Sequence, residues 1–98
     1  MTRKPVFRPQ ADQEVQSARQ WYEGQRPGLG IEFANAIDEV VERISSNPLA
    51  FPIVHSETRR AVVRRFPYGI YFRVLEDQIV VTAVMHGRRH PRRWQARQ

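Results

Sequence analysis

The chain opens with a short apolar pair that is followed by a helical pattern. Val6 and Phe7 lie between basic residues and predict a short first strand. Pro9 fits the first turn of the next helix, because a helix leaves its first N–H groups unbonded in any case. We expect this helix to run to about Arg26. Its apolar residues recur three or four positions apart, as on one helical face: Ala11, Val15, Ala18 and Tyr22, with Trp21 beside them.

A second helix is predicted directly after the Pro27-Gly28 break. Charged residues occupy most of its remaining surface, which is typical of an amphipathic helix. It should end at Ser45-Ser46-Asn47-Pro48, because the residue before a proline avoids the helical region and proline cannot continue the hydrogen-bond ladder. The apolar stripe that predicts this helix is the most regular in the chain: Leu29, Phe33, Ile37, Val40, Val41 and Ile44.

The second half of the chain changes to the two-residue alternation of β-strands. A loop is expected over residues 49–57, and a strand over residues 60–66 with Val62 and Phe66 on one face. Charge on both sides of that strand indicates a position near a sheet edge. After a turn at Phe66-Pro67-Tyr68-Gly69, two further strands are joined by a hairpin. They cover residues 70–75 and 79–85, and the last is apolar on both faces, as a central strand is.

These elements predict one α+β domain over residues 1–98, with the order βααβββ. We expect an antiparallel sheet with a helical hairpin packed on one face and the other face partly open. Residues 87–98 form a basic C-terminal tail in which Trp94 is the one large apolar residue. The chain has no cysteine and no apolar run of membrane-spanning length, and its first residues lack a signal-peptide core. We therefore expect a cytoplasmic protein with no membrane association.

Charge is distributed unevenly between the two halves. Residues 1–58 contain six basic and eight acidic residues, whereas residues 59–98 contain ten arginines against Glu76 and Asp77. Arginine makes bidentate contacts to carboxylates and phosphates and stacks on flat rings. An acidic partner is therefore expected. An ordinary solvated surface is the alternative reading of the same arginines.

Strand alternation predicts which side chains reach the open face of the sheet. If Ile70 and Phe72 face the helices, Tyr71 and Arg73 face outward. Three more residues could join them around one shallow concavity suited to a polyanion or to aromatic stacking: Arg65, Tyr68 and His86.

A metal-free ribonuclease would need a base, an acid and cations on the reacting phosphate. The candidates for these roles are Arg65, Arg73, His86 and His90. Arginine is too basic to exchange protons readily at neutral pH, and neighbouring arginines disfavour a charged histidine, so the sequence favours binding over catalysis. His86 and His90 are four residues apart but outside any predicted helix, so no metal site and no cofactor are expected.

A set of short motifs in a fixed order resembles the RelE/ParE toxin superfamily of bacterial toxin–antitoxin modules. The resemblance covers nearly the whole chain, and its specificity lies in the order and spacing of the motifs. The motifs are Trp21-Tyr22-Glu23, Pro27-Gly28-Leu29-Gly30, Phe33, Pro48, Phe51-Pro52, Arg59-Arg60-Ala61, Arg65-Phe66-Pro67-Tyr68, Ile70-Tyr71 and His86-Gly87-Arg88-Arg89 with Pro91 and Trp94.

This resemblance implies the toxin of a type II module, also called a plasmid stabilisation protein, that is neutralised by a cognate antitoxin. Antitoxins of similar proteins have a DNA-binding dimerisation domain and an acidic, apolar C-terminal segment that wraps the toxin, which implies a hetero-oligomer. RelE-like members cleave messenger RNA on the ribosome, whereas ParE-like members inhibit DNA gyrase. The ending from His86 to Trp94 is more similar to the ParE-like branch. A RelE-type endoribonuclease and a non-toxic basic binding domain are the alternatives.

Two groups of site residues are expected from these observations. The target-binding group is Arg65, Tyr68, Tyr71, Arg73, His86, Arg88, Arg89, Arg92, Arg93 and Trp94. The antitoxin-binding group is Trp21, Tyr22, Phe33, Val41, Arg60 and Arg64. Trp21, Tyr22 and parts of Phe33 or Val41 are expected to be only partly covered in the isolated chain, because one thin sheet cannot cover all the apolar helix surface.

Overall fold

The computed structural model describes residues 4–89 and 91–97. Its elements in chain order are β1 (Val6–Phe7), α1 (Pro9–Gln25), α2 (Leu29–Ser46), a 3₁₀ turn (Pro48–Ala50), β2 (Ile53–His55), β3 (Thr58–Val62), β4 (Tyr68–Leu75), β5 (Gln78–His86) and α3 (Arg92–Gln95). The predicted α+β order is confirmed, with β2 and α3 as additions. None of the helices in this described part is long and apolar enough to cross a membrane.

The five strands form one mixed sheet in the order β1, β5, β4, β3, β2. Three neighbouring pairs are antiparallel, but β1 runs parallel to β5, with Val6 opposite Val80. The prediction of an entirely antiparallel sheet is therefore wrong at this edge. Only a short connection requires two strands to be antiparallel, and β1 is separated from β5 by two helices and three strands. The apolar pattern consequently contains no signal for the direction of β1.

Helix α1 begins at Pro9, as predicted, and ends at Gln25, one residue before the expected end. Its buried face consists of Ala11, Val15 and Ala18. This face packs against β5, and the two alanines allow a close approach of the helix to the sheet. Helix α1 therefore lies beside β5, and residues of both elements line the groove of the functional site.

Glu23 stabilises the connection between α1 and α2. Its carboxylate accepts hydrogen bonds from the backbone N–H groups of Gly28, at 3.1 Å, and Gly30, at 3.0 Å. These bonds favour the charged form and lower the pKa of Glu23. Gly28 has a φ of 91°, which glycine adopts without strain. A Cβ atom on Gly30 would lie 2.9 Å from the carbonyl oxygen of Arg19, so the two helices are too close here for any larger residue.

The predicted strand and loop boundaries before β4 are wrong. The loop expected over residues 49–57 contains β2, which pairs with β3 and forms the outer edge of the sheet. The strand expected over residues 60–66 is β3, which begins two residues earlier and ends four residues earlier. β3 is therefore next to the edge strand. The alternating pattern did not reveal these boundaries because β2 is only three residues long and is bracketed by prolines and polar residues.

The chain leaves the sheet after Val62 and turns back towards the helices. The N–H group of Val63 donates to the carbonyl oxygen of Tyr68 at 2.9 Å and closes this turn. Phe66 is thereby buried against Phe33, with ring centroids 5.2 Å apart, whereas Val62 is 62% exposed. The prediction that Val62 and Phe66 share one strand face is wrong, because residues in a turn can reach the core without strand alternation.

Strand β4 confirms the predicted alternation, and β5 is buried on both faces, as its sequence predicts. Ile70 and Phe72 are fully buried in the core beneath the helices, whereas Tyr71 lies on the opposite face. The pairing register shifts between Tyr71 and Phe72, where β5 has one additional residue. Thr82 lies at this irregularity, and its hydroxyl group donates to the carbonyl oxygen of Tyr71 at 3.3 Å.

The face of the sheet opposite the helical hairpin is covered in part by α3. Trp94 stacks on Tyr71 with ring centroids 4.4 Å apart and an interplanar angle of 15°. The two side chains are 5% and 4% exposed, and they form a second apolar cluster with Ala83 and Met85. The expectation of a partly open face is therefore confirmed: Trp94 covers one part of the face, and Arg60 and Val62 stay exposed on another. A single indole ring can cover this part of the face because it packs on the apolar surface that Tyr71, Ala83 and Met85 form.

Replacement of Ile44 by Val should destabilise the fold, whereas the same change at Ile31 should not. Both residues belong to α2, but Ile44 is fully buried and Ile31 is 57% exposed. Removing a buried methylene group costs roughly 0.5–1.5 kcal/mol, and an exposed one costs close to zero. Urea unfolding of both variants measures the difference. Equal destabilisation by the two substitutions would contradict this assignment of the core face.

Candidate functional site

A groove of about 290 Å³ lies between α1 and the chain segment that follows β5. We call it the basic groove. Its cationic residues are Arg89, Arg93 and Arg97, and its rings are Trp21, Tyr68 and His86. Its floor includes the apolar residues Ala18, Val84 and Met85, and Glu14 is its acidic residue. The groove therefore combines positive charge with aromatic and aliphatic surface.

Glu14 attaches the C-terminal segment to α1 and β5. Its carboxylate accepts hydrogen bonds from the backbone N–H of Val84 at 3.0 Å and from Arg97 Nη1 at 2.8 Å. Arg97 also donates to the carbonyl oxygen of Thr82 at 3.4 Å. β1 pairs with β5 only as far as Val81. Glu14 and Arg97 therefore make hydrogen bonds to backbone groups of β5 that a longer edge strand would otherwise have bonded.

The positive charge of the basic groove is unevenly compensated. Arg97 forms an ion pair with Glu14, and both side chains are largely buried. Arg89 and Arg93 are exposed and form no ion pair within residues 4–89 and 91–97. Two uncompensated guanidinium groups therefore face the groove. A carboxylate or phosphate is the chemical group that they are suited to bind.

The aromatic side of the basic groove is continuous with the core. Tyr68 packs on Phe33 with ring centroids 5.2 Å apart and on His86 with centroids 5.5 Å apart. Burial raises the pKa of Tyr68, although the nearby Arg89 acts in the opposite direction. The Nδ1 atom of His86 accepts the backbone N–H of Arg88 at 3.0 Å, so a neutral His86 carries its proton on Nε2.

Trp21 forms the outer rim of the groove and is 59% exposed. It contacts Tyr22 edge to face, with centroids 5.0 Å apart. Tyr22 and Val41 are half-buried, so the predicted partial coverage of these three residues is confirmed. Of the two alternatives on α2, Val41 is the partly covered residue, whereas Phe33 is fully buried because Tyr22, Phe66 and Tyr68 surround its ring.

The antitoxin-binding group predicted from the sequence does not form one surface. Val41 lies eight residues along α2 from Phe33, which is about 12 Å of helix. Arg60 and Arg64 are exposed, and Arg60 lies on the face of the sheet opposite the helices. Arg60 borders a separate depression of about 180 Å³ together with Val62 and Tyr71. Trp21 alone of this group lines the basic groove.

The single concavity predicted for the open sheet face is not formed. Tyr68 and His86 line the basic groove, whereas Tyr71 lies under Trp94; Tyr68 also borders, with Tyr71, the depression beside Arg60. Arg65 forms an ion pair with Glu32 on the helical side, and Arg73 forms one with Glu57. The three rings and two arginines that were expected around one concavity are therefore distributed over more than one surface.

Of the predicted target-binding group, the structure brings four members into the basic groove: Tyr68, His86, Arg89 and Arg93. Arg88 and Arg92 are exposed nearby on the same segment but do not line the groove, and His90 lies outside the described residues. Sequence reasoning missed Glu14 and Arg97, which are 83 residues apart. No local pattern marks such a pair, because their contact depends on the docking of the C-terminal segment.

The described residues offer little for metal chemistry. No group of three or more His, Cys, Asp or Glu side chains within residues 4–89 and 91–97 is arranged to hold a metal ion.

Two buried polar atoms, Thr58 Oγ1 and Arg73 Nε, make no hydrogen bond to the described part of the chain. They lie on neighbouring strands beside the Trp94 cluster.

The fold is shared with a solved toxin–antitoxin structure. The chain superposes with a TM-score of 0.77 on a chain of the structure titled "Chromosomal ParDE TA system from P. aeruginosa", covering 87% of this chain and 96% of that chain. Sequence identity is 16%, so this similarity establishes the architecture alone. The curated proteins give no significant match.

The family itself is established by the sequence comparison. The family model described as "ParE toxin of type II toxin-antitoxin system, parDE" matches residues 6–91, which include β1 to β5 and the start of the C-terminal segment. The chain therefore belongs to the ParE toxin family. The predicted membership of the RelE/ParE superfamily, and of its ParE-like branch, is confirmed.

The docking of the C-terminal segment can be measured with two single-tryptophan variants. Trp21→Phe retains the buried Trp94, and Trp94→Phe retains the exposed Trp21. We expect blue-shifted emission and weak acrylamide quenching from Trp21→Phe, because its remaining Trp94 is buried. We expect red-shifted emission with strong quenching from Trp94→Phe, because its remaining Trp21 is in contact with water. Equal quenching of the two variants would contradict the packing of Trp94 on Tyr71.

The ion pairs of Glu32 predict a specific pH dependence. Arg65 and Arg26 donate to this carboxylate at 2.5 and 2.9 Å. Both hydrogen bonds lower the pKa of Glu32, and the bond from Arg65 has the larger effect. A lowered folded-state pKa stabilises the fold above the unfolded-state value, and the stabilisation is lost as the pH falls below about 4. The stability difference between wild type and Glu32→Gln should therefore be larger at neutral pH than in acid. Urea unfolding across this range is the measurement, and a constant difference would contradict it.

Proposed function

We propose that this chain is the toxin component of a type II toxin–antitoxin pair, that a cognate antitoxin neutralises it, and that it acts by binding DNA gyrase. Membership of the ParE toxin family supports the toxin assignment. The antitoxin partner is supported by the ParDE system with the same fold. Gyrase is proposed as the target because ParE-like members of the superfamily inhibit it. By the same resemblance, the proposed antitoxin has a DNA-binding dimerisation domain.

The packing of Trp94 on Tyr71 is the observation that most favours binding over catalysis. A nuclease site on this sheet face would need an accessible acid–base residue with free cations beside it. Tyr71 is only 4% exposed under Trp94, and Arg73 is paired with Glu57. On the helical side, Arg65 is paired with Glu32. The expected cations are therefore occupied by carboxylates, and the expected aromatic residue is covered.

The same packing presents a cationic surface. Because Trp94 and Arg97 hold the end of the C-terminal segment against the sheet and α1, the arginines between β5 and Trp94 project from a backbone that is fixed at both ends. Arg88, Arg89 and Arg93 are exposed on this segment. We propose that they contact the target. A preorganised set of cations loses less conformational entropy on binding than a free tail would.

A RelE-type endoribonuclease is the second candidate, and one observation favours it. His86 and Tyr68 are adjacent in the basic groove, and Arg89 also lines it. The Nε2 atom of His86 is not used by the Arg88 hydrogen bond, so it could exchange a proton with a substrate. This arrangement supplies one acid–base group beside the cations Arg89 and Arg93, whereas a metal-free ribonuclease reaction requires both a base and an acid.

Induced expression of the chain, followed by two assays on the purified protein, separates these functions. We expect growth arrest that co-expression of the adjacent upstream reading frame relieves, inhibition of gyrase supercoiling, and intact messenger RNA on the ribosome. Cleavage of messenger RNA in ribosomal A sites with normal supercoiling would contradict the proposal and favour the endoribonuclease. An absence of any growth effect would favour the non-toxic binding domain.

Two double variants with the same charge change sharpen this test. Arg88→Gln with Arg89→Gln removes exposed, unpaired cations, whereas Arg65→Gln with Arg73→Gln removes cations that are paired with carboxylates. We expect the first pair to weaken gyrase inhibition by about tenfold or more, and the second by much less. The loss should be greater at low salt, because exposed charges are screened at high salt. An equal effect of the two pairs would contradict the proposed contact surface.

A further inference from the structure

We infer that the basic groove binds an acidic, apolar peptide segment, with its carboxylates on Arg89 and Arg93 and an apolar side chain on Trp21. This inference rests on the proposed function, in which the peptide is the C-terminal segment of the antitoxin. It adds the location of that contact and the residues that make it. It also follows that antitoxin and target share Arg89 and Arg93.

Charge complementarity is the first reason for an acidic occupant. The one carboxylate in the groove, that of Glu14, is already engaged by Arg97 at 2.8 Å and by the N–H of Val84 at 3.0 Å. Arg89 and Arg93 therefore face the groove without a compensating charge from the described residues. Two carboxylates on one strand or helix turn would neutralise both guanidinium groups with charge-assisted hydrogen bonds.

The apolar half of the groove favours a peptide over a nucleic acid. Trp21 has 59% of its surface exposed at the rim, and the floor includes Ala18, Val84 and Met85. Aliphatic side chains pack well on such a surface. A nucleic-acid strand would need cations spaced along several consecutive phosphates, whereas here two unpaired arginines stand beside an apolar floor. The volume of about 290 Å³ fits a few side chains.

The groove also explains how one peptide could block target binding. Arg89 belongs both to the groove and to the exposed arginine set that we propose for target contact. A carboxylate bound to Arg89 removes the charge that the target would use. Neutralisation would then result from direct competition and would need no change in the fold.

The test uses the full-length chain and a fluorescently labelled 12-residue peptide in which Glu and Leu alternate. Fluorescence anisotropy should give at least about tenfold tighter binding of this probe than of the same peptide with Gln in place of Glu. The variant with Arg89→Gln and Arg93→Gln should lose about tenfold in affinity, because two charge-assisted contacts are removed. Trp21→Ala should weaken the Glu–Leu probe and the Gln–Leu probe by the same factor.

The matched control is the variant with Arg8→Gln and Arg19→Gln, which has the same net charge but alters exposed arginines outside the groove. It should bind the Glu–Leu probe within about twofold of wild type. Equal loss in both double variants would overturn the inference, since it would show only a general charge effect. Binding of a dT12 oligonucleotide that is tighter than that of the peptide and depends on Arg89 and Arg93 would also overturn it, in favour of a nucleic-acid surface.

The failure of this inference and the failure of the proposed function give different results. In one outcome, induced expression arrests growth and the upstream gene restores it, but the affinity for the peptide does not depend on Arg89 and Arg93. The toxin assignment then stands and the groove assignment is wrong. If the peptide requires both arginines but expression has no effect on growth, the groove is a peptide site in a chain that is not a toxin.

Discussion

The arrangement of the C-terminal segment depends on one carboxylate. Glu14 lies on α1, accepts the backbone N–H of Val84 on β5, and forms an ion pair with Arg97 at the end of the chain. It therefore joins the first helix, the central hairpin and the last described residues. With Arg97 fixed on one side of the sheet and Trp94 packed on the other, the C-terminal segment that follows β5 has two points of attachment.

This double attachment divides the functional surface into two parts. On one side, Trp94 covers Tyr71, and the depression beside Arg60 and Val62 on the same face stays open. On the other side, Arg89 and Arg93 border an open groove with Trp21 at its rim. The chain thus keeps cations accessible while it reduces the opportunity for acid–base chemistry, and this combination suits a toxin that acts by binding. The occupied arginines, Arg65 and Arg73, instead stabilise the fold through Glu32 and Glu57.

Much of the fold could be predicted from the sequence because its main elements have strong local signals. The stripe from Phe33 to Ile44, the alternation of β4 and the apolar character of both faces of β5 are such signals, and the structure confirms all three. The direction of β1, the short strand β2 and the end of β3 could not be predicted. Each depends on contacts between distant segments or on a turn whose side chains reach the core, as Phe66 does.

The candidate site was predictable in composition but not in arrangement. Tyr68, His86, Arg89 and Arg93 were identified as residue types that bind anions, and they do line one groove. The expectation that Tyr68 and His86 could join Tyr71 on the open face placed them on the wrong side, because the sequence pattern gave no information on how the C-terminal segment would dock. Glu14 and Arg97 were missed for the same reason: their pairing spans nearly the whole chain, and neither residue stands out among other charged residues nearby.

Nuclear magnetic resonance tests the central claim most directly, because the docked C-terminal segment is proposed to form the site of an acidic partner. Addition of the Glu–Leu peptide to the labelled full-length chain should shift the indole signal of Trp21 and the side-chain signals of Arg89 and Arg93, while the indole of Trp94 stays unchanged in its buried position. Shifts centred instead on Arg60 and Val62, at the separate depression on the other face, would contradict the account.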